Sequence, residues 1–257
     1  MVTTIHQPLI SIVLPVRNAE QYLSACLQSL LRQSYANFEI IVIDDKSTDK
    51  SLTILKEFRR KDTRIKLFQN VKRYGSVVTL NRALKKTKGD IIAFMKAEDI
   101  SNKYRLQKQV KFLLSNQKAV GVGSQCMYLD ERSEVVGKSM FPTDSKNIYR
   151  KPLHTISLQF ESFMIHRNRI PKDLLKFHTE RVPYIYSDIL VKLMQYGELF
   201  NLSDILYTHR KFHNEKKQTQ GKILAKLMKH WTKAETIFRY KPSLSNSLSF
   251  LFPVKTA

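Results

Sequence analysis

The 257-residue chain is short of several things, and each shortage excludes a class. It has two cysteines, Cys26 and Cys126, a hundred positions apart. They cannot build a disulfide framework or a cysteine-rich zinc site, and they fit a reducing compartment. Seven glycines and eight prolines exclude collagen-like and Gly/Pro low-complexity chains. No apolar run approaches the ~18 residues that a membrane-spanning helix needs. The opening Met-Val-Thr-Thr-Ile-His-Gln-Pro lacks a basic stretch followed by an apolar one, so no secretory leader is expected. A cytoplasmic globular protein is the resulting expectation. Acidic residues are also scarce, 22 against 44 Lys and Arg, a net charge of +22. Such a surplus favours polyanionic company: nucleic acid, an anionic membrane surface or phosphorylated substrates. With no helix-turn-helix, zinc-finger or aromatic RNA-binding pattern, a nucleic-acid partner is not expected.

What is present is a 42% apolar composition, enough for a core, and a repeating order. Ile10–Leu14, Glu39–Ile43, Ile65–Phe68, Ile91–Met95 and Ala119–Tyr128 read as strands. Helical periodicity lies between them: Leu23 to Leu31, Ser51 to Arg60, Leu80 to Lys86 with Gly89 as its C-cap, and Lys103 to Ser115. Strands alternating with such helices predict an α/β fold with a mainly parallel sheet covered on both faces. Ligands of such sheets sit at the carboxyl ends of the strands. After residue 130 the alternation fades; residues 140–181 read as irregular, and a helix runs from Ser187 to Tyr196 and ends at Gly197.

Three strand ends carry chemistry. Pro15-Val16-Arg17-Asn18 offers a phosphate partner in Arg17, with Asn18 fixing the turn or capping the next helix. Asp44-Asp45 ends the second strand, where carboxylates accept from a ribose or a base. Ser47 to Asp49 is open to a second reading, in which Ser47 or Thr48 caps a helix and Asp49 lies in its first turn. The fourth strand runs into Lys96-Ala97-Glu98-Asp99, acidic oxygens suited to a hard divalent cation bridging a diphosphate.

Taken in order, Ser11-Ile12-Val13-Leu14-Pro15-Val16-Arg17-Asn18, Ile41-Val42-Ile43-Asp44-Asp45, Asn81, Gly89-Asp90-Ile91-Ile92-Ala93-Phe94 and Glu98-Asp99 resemble the family 2 glycosyltransferases of the GT-A fold. The match is firm over about residues 9–130 and weaker to about 213. The resemblance implies an inverting transferase that uses a nucleotide-diphospho-sugar, UDP-linked in the family's usual manner, and Mg²⁺ or Mn²⁺, with a saccharide or lipid-linked acceptor in cell-envelope glycan synthesis. It places Pro15, Arg17, Asp44, Asp45, Asn81, Lys96, Glu98 and Arg210 around the donor. Glu98 and Asp99 stand at the metal motif, and Asp188, in Tyr186-Ser187-Asp188, at the general base. His166 and His209 stay open as further ligands of the cation. It also divides the chain into a nucleotide-sugar half, 1–130, an acceptor half, 131–213, and a tail, 214–257.

The departures from the family pattern are Lys96 and Ser187, each where an acidic residue is usual, Glu98 where Asp is usual, and Leu80 where Arg is common. Lys96 is open to two readings, an ammonium turned to the diphosphate or one left in water. The same departures suggest the alternative of a transferase-like protein that binds without turning over. In the tail, Ile223, Leu224, Leu227, Met228, Trp231 and Ile237 recur with lysines between them, a basic amphipathic helix. It either docks on the inner face of the cell membrane or packs on the catalytic domain.

Overall fold

A computed structural model describes residues 7–148, 158–179, 185–193 and 195–212. The expected tail therefore lies outside the described residues. The elements in order are β1 (Ile10–Val16), α1 (Glu20–Leu31), β2 (Phe38–Asp44), α2 (Ser51–Lys61), β3 (Ile65–Gln69), α3 (Ser76–Leu84) and β4 (Ile91–Phe94). Then come β5 (Ile100–Ser101), α4 (Arg105–Ser115), β6 (Ala119–Leu129), β7 (Val135–Lys138), α5 (Ser145–Ile148), β8 (Met164–His166), α6 (Ile185–Leu193) and β9 (Glu198–Arg210).

Among the described residues these strands form one nine-stranded sheet in the order β3-β2-β1-β4-β8-β6-β9-β5, with β7 on the edge of β6. The first four strands are parallel. Strands β1, β2 and β4 are buried almost throughout because both of their faces are covered, whereas β3, at the edge, leaves Lys66 and Gln69 exposed. Ile12 and Leu14 pack toward α1, α2 and α4, while Val13, Ile41, Ile43 and Phe94 pack toward α3 and α6. The α/β architecture with a mainly parallel sheet thus forms as expected.

The second half departs from its expected irregularity. Strand β8 slots antiparallel between β4 and β6, and β9 runs the length of β6 in parallel register with bulges. The predicted helix from Ser187 to Tyr196 starts earlier, as α6, and stops at Leu193 before Gly197. Gly89 is not a helix cap. Helix α3 ends at Leu84, and a Cβ at Gly89 would lie 2.5 Å from the Leu9 carbonyl oxygen and 2.7 Å from the Ser11 amide. The glycine lets the chain cross β1 closely, where its N–H donates to Ser11 Oγ at 2.8 Å. Ser11 Oγ in turn donates to Glu39 Oε1 at 2.6 Å. This network ties the amino ends of the strands, the end opposite the acidic tips.

The loops after β1 and β2 brace each other. Asn18, at φ +49°, accepts from the Thr48 amide at 2.9 Å. Neither Ser47 nor Thr48 caps α2. Asp49 instead accepts from the Ser51 amide through Oδ1 and from the Glu20 amide of α1 through Oδ2. Glu20 Oε2 in turn accepts from the Lys50 amide at 2.8 Å. Two helix starts share their acceptors, which satisfies orphan N–H groups of both at once. The shared bracing fixes the strand ends beside it.

Candidate active site

At the carboxyl ends of β1, β2 and β4 lies a cleft of about 460 Å³. Pro15, Arg17, Asp45, Lys96 and Glu98 line it, so the tips of the second and fourth strands do share one cavity. Arg73, Gly75, Ser76, Thr79, Phe160, Glu161 and Tyr186 complete its walls. The amino end of α3 therefore opens into the cleft, a pole that favours anions.

Asp45 is 3% exposed and fully engaged. Its Oδ1 accepts from Asn70 Nδ2 at 2.7 Å and the Tyr74 amide at 2.8 Å; Oδ2 accepts from the Gly75 amide at 2.8 Å. Burial works to raise its pKa, but these hydrogen bonds outweigh it and hold the carboxyl below the usual range. Gly75 takes φ +86°, which a glycine reaches without strain, and so brings its N–H to Asp45 and starts α3. Asp44 is wholly buried and is not among the residues lining the cleft; it accepts weakly from the Ser47 amide and from Gln69 Nε2 at 3.3 Å. Arg17 spans the two loops, with Nη1 donating to the carbonyls of Asp45 and Lys46 at 2.9 Å each.

After β4, Asp99 and Glu98 part company. Asp99, 1% exposed, accepts from Tyr207 Oη at 2.7 Å, His209 Nδ1 at 2.9 Å and the Arg210 amide at 2.8 Å. Both of its oxygens are spent on β9. Burial works to lower the His209 pKa, but the bond to Asp99 and that carboxylate's charge prevail and raise it. Glu98 lines the cleft, and its buried Oε2 has no hydrogen-bond partner among the described residues. Burial pushes its carboxyl up, Asp99 adds to the shift, and Lys96 and His209 work against it.

The remaining expected residues are structural clamps or lie elsewhere. Asn81 exchanges both bonds of an amide with the Phe177 backbone, at 2.7 and 2.9 Å, on the far side of α3. Arg210 donates to the carbonyls of Glu98 and Asp130 and to Ser133 Oγ, with its guanidinium 4.1 Å from the Tyr22 ring centre. It thus closes β9 onto the acidic loop and is not among the cleft-lining residues. Asp188 is 2% exposed, pairs with Lys192 Nζ at 2.8 Å, and is likewise absent from the cleft lining; Tyr186 of the same helix lines it instead. Two positions apart on a helix point to different sides. His166 pairs with Ile91 in register, at the end of β4 away from the acidic loop.

Sequence reasoning missed three contributors. Arg73 lies in the loop before α3, Glu161 in a short 3-10 turn (Phe160–Ser162), and Tyr186 stacks on Phe160 with ring centres 4.2 Å apart. Only fold contacts bring them in. Beneath them, buried Arg105 donates to the carbonyls of Phe94 and Glu161 at 2.9 and 3.1 Å, joining the end of β4 to that turn.

The fold family implies a divalent cation, and the donor set can be tested against it. A cation bridging a diphosphate needs oxygen donors turned to the cleft. Of the expected pair only Glu98 lines the cleft; Asp99 is 1% exposed, takes three donors from β9 and is not among the lining residues. Lys96 lines the same wall, and among the described residues no group of three His, Cys, Asp or Glu side chains is placed to hold a metal ion. The residues do not fit the expected pair of metal ligands.

With the geometry in hand, comparison with known proteins decides the family. Residues 11–175 match the model of glycosyl transferase family 2. The chain belongs to this family. It is 33% identical over 207 residues to an uncharacterised glycosyltransferase of Haemophilus influenzae, covering 80% of this chain and 78% of that one. It is 32% identical over 182 residues to the Escherichia coli UDP-Glc:alpha-D-GlcNAc-diphosphoundecaprenol beta-1,3-glucosyltransferase WfgD, covering 71% and 70%. The fold is similar to that of S. aureus TarS 1–349 in complex with UDP-GlcNAc, at TM-score 0.60 and 23% identity, covering 80% of this chain and 59% of that one. It is also similar to the mannosyltransferase PcManGT from Pyrobaculum calidifontis, solved with GDP-Man and Mn²⁺, at TM-score 0.62 and 16% identity, covering 94% and 67%. This family 2 glycosyltransferase therefore has the GT-A fold, and among its described residues no helix is long and apolar enough to cross a membrane.

Proposed function

We propose that this glycosyltransferase moves a sugar, with inversion, from a nucleoside-diphospho-sugar, UDP-linked as in the named donor of WfgD, to a hydroxyl of a saccharide or lipid-linked acceptor in cell-envelope glycan synthesis. The observation that carries the reading is the single cleft in which Arg17, Asp45, Lys96, Glu98 and the start of α3 meet at the carboxyl ends of β1, β2 and β4. Its apolar and aromatic walls suit a ring, and its cations and helix end suit a diphosphate. Asp45 positions rather than reacts: with both oxygens engaged, it sets the loop that shapes the donor end.

In the proposed step the acceptor oxygen attacks the anomeric carbon as the bond to the diphosphate oxygen breaks. The acceptor proton passes to a carboxylate, and the nucleoside diphosphate leaves with the bonding pair. Asp188 pairs with Lys192 and lies outside the cleft lining. Besides Asp45 and Glu98, Glu161 is the carboxylate that lines the cleft, its Oε2 accepting from Gln159 Nε2, so the reading assigns the proton to Glu161. Lys96 and the amino end of α3 face the charge that gathers on the leaving group. A lipid-linked acceptor and the +22 net charge together suit docking on the inner face of an anionic membrane. Sedimentation with anionic against neutral vesicles tests that part; equal recovery contradicts it.

The activity is tested with a panel of UDP- and GDP-sugars and a GlcNAc-diphospho-lipid acceptor. Transfer by the native chain and its loss in Glu161→Gln, with donor binding kept, support the assignment. Loss in Asp188→Asn with full activity in Glu161→Gln returns the role to Asp188. A second reading, binding without turnover, is favoured by one observation: Tyr186, not a carboxylate, lines the cleft from α6. Donor binding with no transfer and no hydrolysis for any donor in the panel would select it.

A further inference from the structure

We infer that Lys96 supplies the diphosphate-facing positive charge that a divalent ion brings elsewhere, so that this chain binds a nucleoside diphosphate without added metal. The inference rests on the nucleotide-sugar reading of the cleft and follows from how the tip of β4 is built. Lys96 stands on the cleft wall, and its Nζ lies 5.3 Å from the centre of the Phe212 ring. Its backbone is held from two sides: the Lys96 amide donates to Tyr207 Oη at 3.3 Å, and its carbonyl accepts from Cys26 Sγ at 3.5 Å. The ammonium is thus carried on a fixed strand end and not on a free loop.

Two further observations point the same way. Of the two acidic neighbours, Asp99 is spent on β9, which leaves Glu98 as the one carboxylate of this tip in the cleft. Lys96 acts electrostatically on that Glu98 and on His209. A divalent ion placed beside Glu98 would meet an adjacent ammonium, a repulsion strengthened by the partly buried setting. A diphosphate placed there meets Lys96, and Arg17 and Arg73 line the same cleft. The cleft is cationic where a metal would otherwise have to make it so.

Titration calorimetry with UDP, and with GDP in parallel, tests this on the full chain in EDTA and in excess Mn²⁺. The expected result is the same affinity, within about twofold, under both conditions, with a loss of about tenfold or more in Lys96→Ala, the size of one charge-assisted contact. Lys96→Arg should retain most of the binding. Lys96→Asp, which restores an acidic residue to the tip, should bind UDP only when Mn²⁺ is present. Circular dichroism confirms folding of each variant; should Lys96→Asp not fold, Lys96→Ala and the chelator comparison carry the test. Loss of native UDP binding in EDTA and its recovery with Mn²⁺ would overturn this inference alone. Unchanged affinity in Lys96→Ala would overturn it too. Failure of both UDP and GDP to bind with or without Mn²⁺ would overturn it together with the nucleotide-sugar reading.

Discussion

The two acidic tips that share the cleft are built to opposite plans. The tip of β2 is internally satisfied: every Asp45 oxygen accepts from the chain, and the carboxylate organises the loop into α3. The tip of β4 is divided. Asp99 is turned inward and locks β9 to the sheet, whereas Glu98 keeps a buried oxygen without a partner and Lys96 stands beside it on the cleft wall. Identical chemistry in the sequence, a pair of adjacent acids, thus serves structure at one position and leaves capacity for a ligand at the next. An acid at a strand end becomes a candidate contact when its oxygens are unspent, not because it is acidic.

That contrast sets an order of expected effects. The largest belongs to Asp99→Ala, which leaves Tyr207, His209 and the Arg210 amide without their acceptor. Removing one partner of a buried charged pair costs about 3–5 kcal/mol, read as a drop in the urea midpoint. Asp45→Ala should cost about 3 kcal/mol by orphaning three donors, and should weaken UDP binding as the loop before α3 loosens. An intermediate effect is expected from pH. His209 has a raised pKa in the folded chain, so its stabilising pair with Asp99 is complete below the ordinary histidine value of about 6.5 and is lost as pH rises through the folded value. The stability gap between the native chain and His209→Gln should therefore narrow with increasing pH; a constant gap would contradict the pairing. The smallest effect is expected from Glu98→Gln, within about 0.5 kcal/mol of native or slightly stabilising, because no fold contact depends on its Oε2 and burial already disfavours its charge. A loss comparable to that of Asp99→Ala would erase the distinction between the two neighbours.

How much of this was legible in the sequence follows the same division between local and long-range causes. Strands β1, β2, β4 and most of β6 are visible because burial on both faces leaves no alternation to misread, and β3 is visible as a short run between turn residues. Strand β8 is not visible: three residues become a strand only because β4 and β6 flank them. Strand β9 is obscured by Asn201, Ser203 and Asp204 and by its bulges against β6. At the site, Pro15, Arg17, Asp45, Lys96 and Glu98 were reachable from the rule that ligands meet strand ends. Asp44, Asp99, Asn81 and Arg210 carry the same signal yet turn to bind the protein itself, which no spacing reveals. Asp188 follows from the resemblance of Tyr186-Ser187-Asp188 to the family pattern, yet of these residues it is Tyr186 that lines the cleft from α6. Glu161 and Arg73 lie in turns without periodicity, and contacts such as the Arg105 bridge position them.

The most direct test of the account is a crystal structure of the protein soaked with UDP. The account predicts the nucleotide in the cleft between the tips of β2 and β4, its nucleoside end beside Arg17 and Asp45 and its diphosphate within hydrogen-bond reach of Lys96. Density at another surface, or none at a concentration that saturates binding in solution, would contradict it.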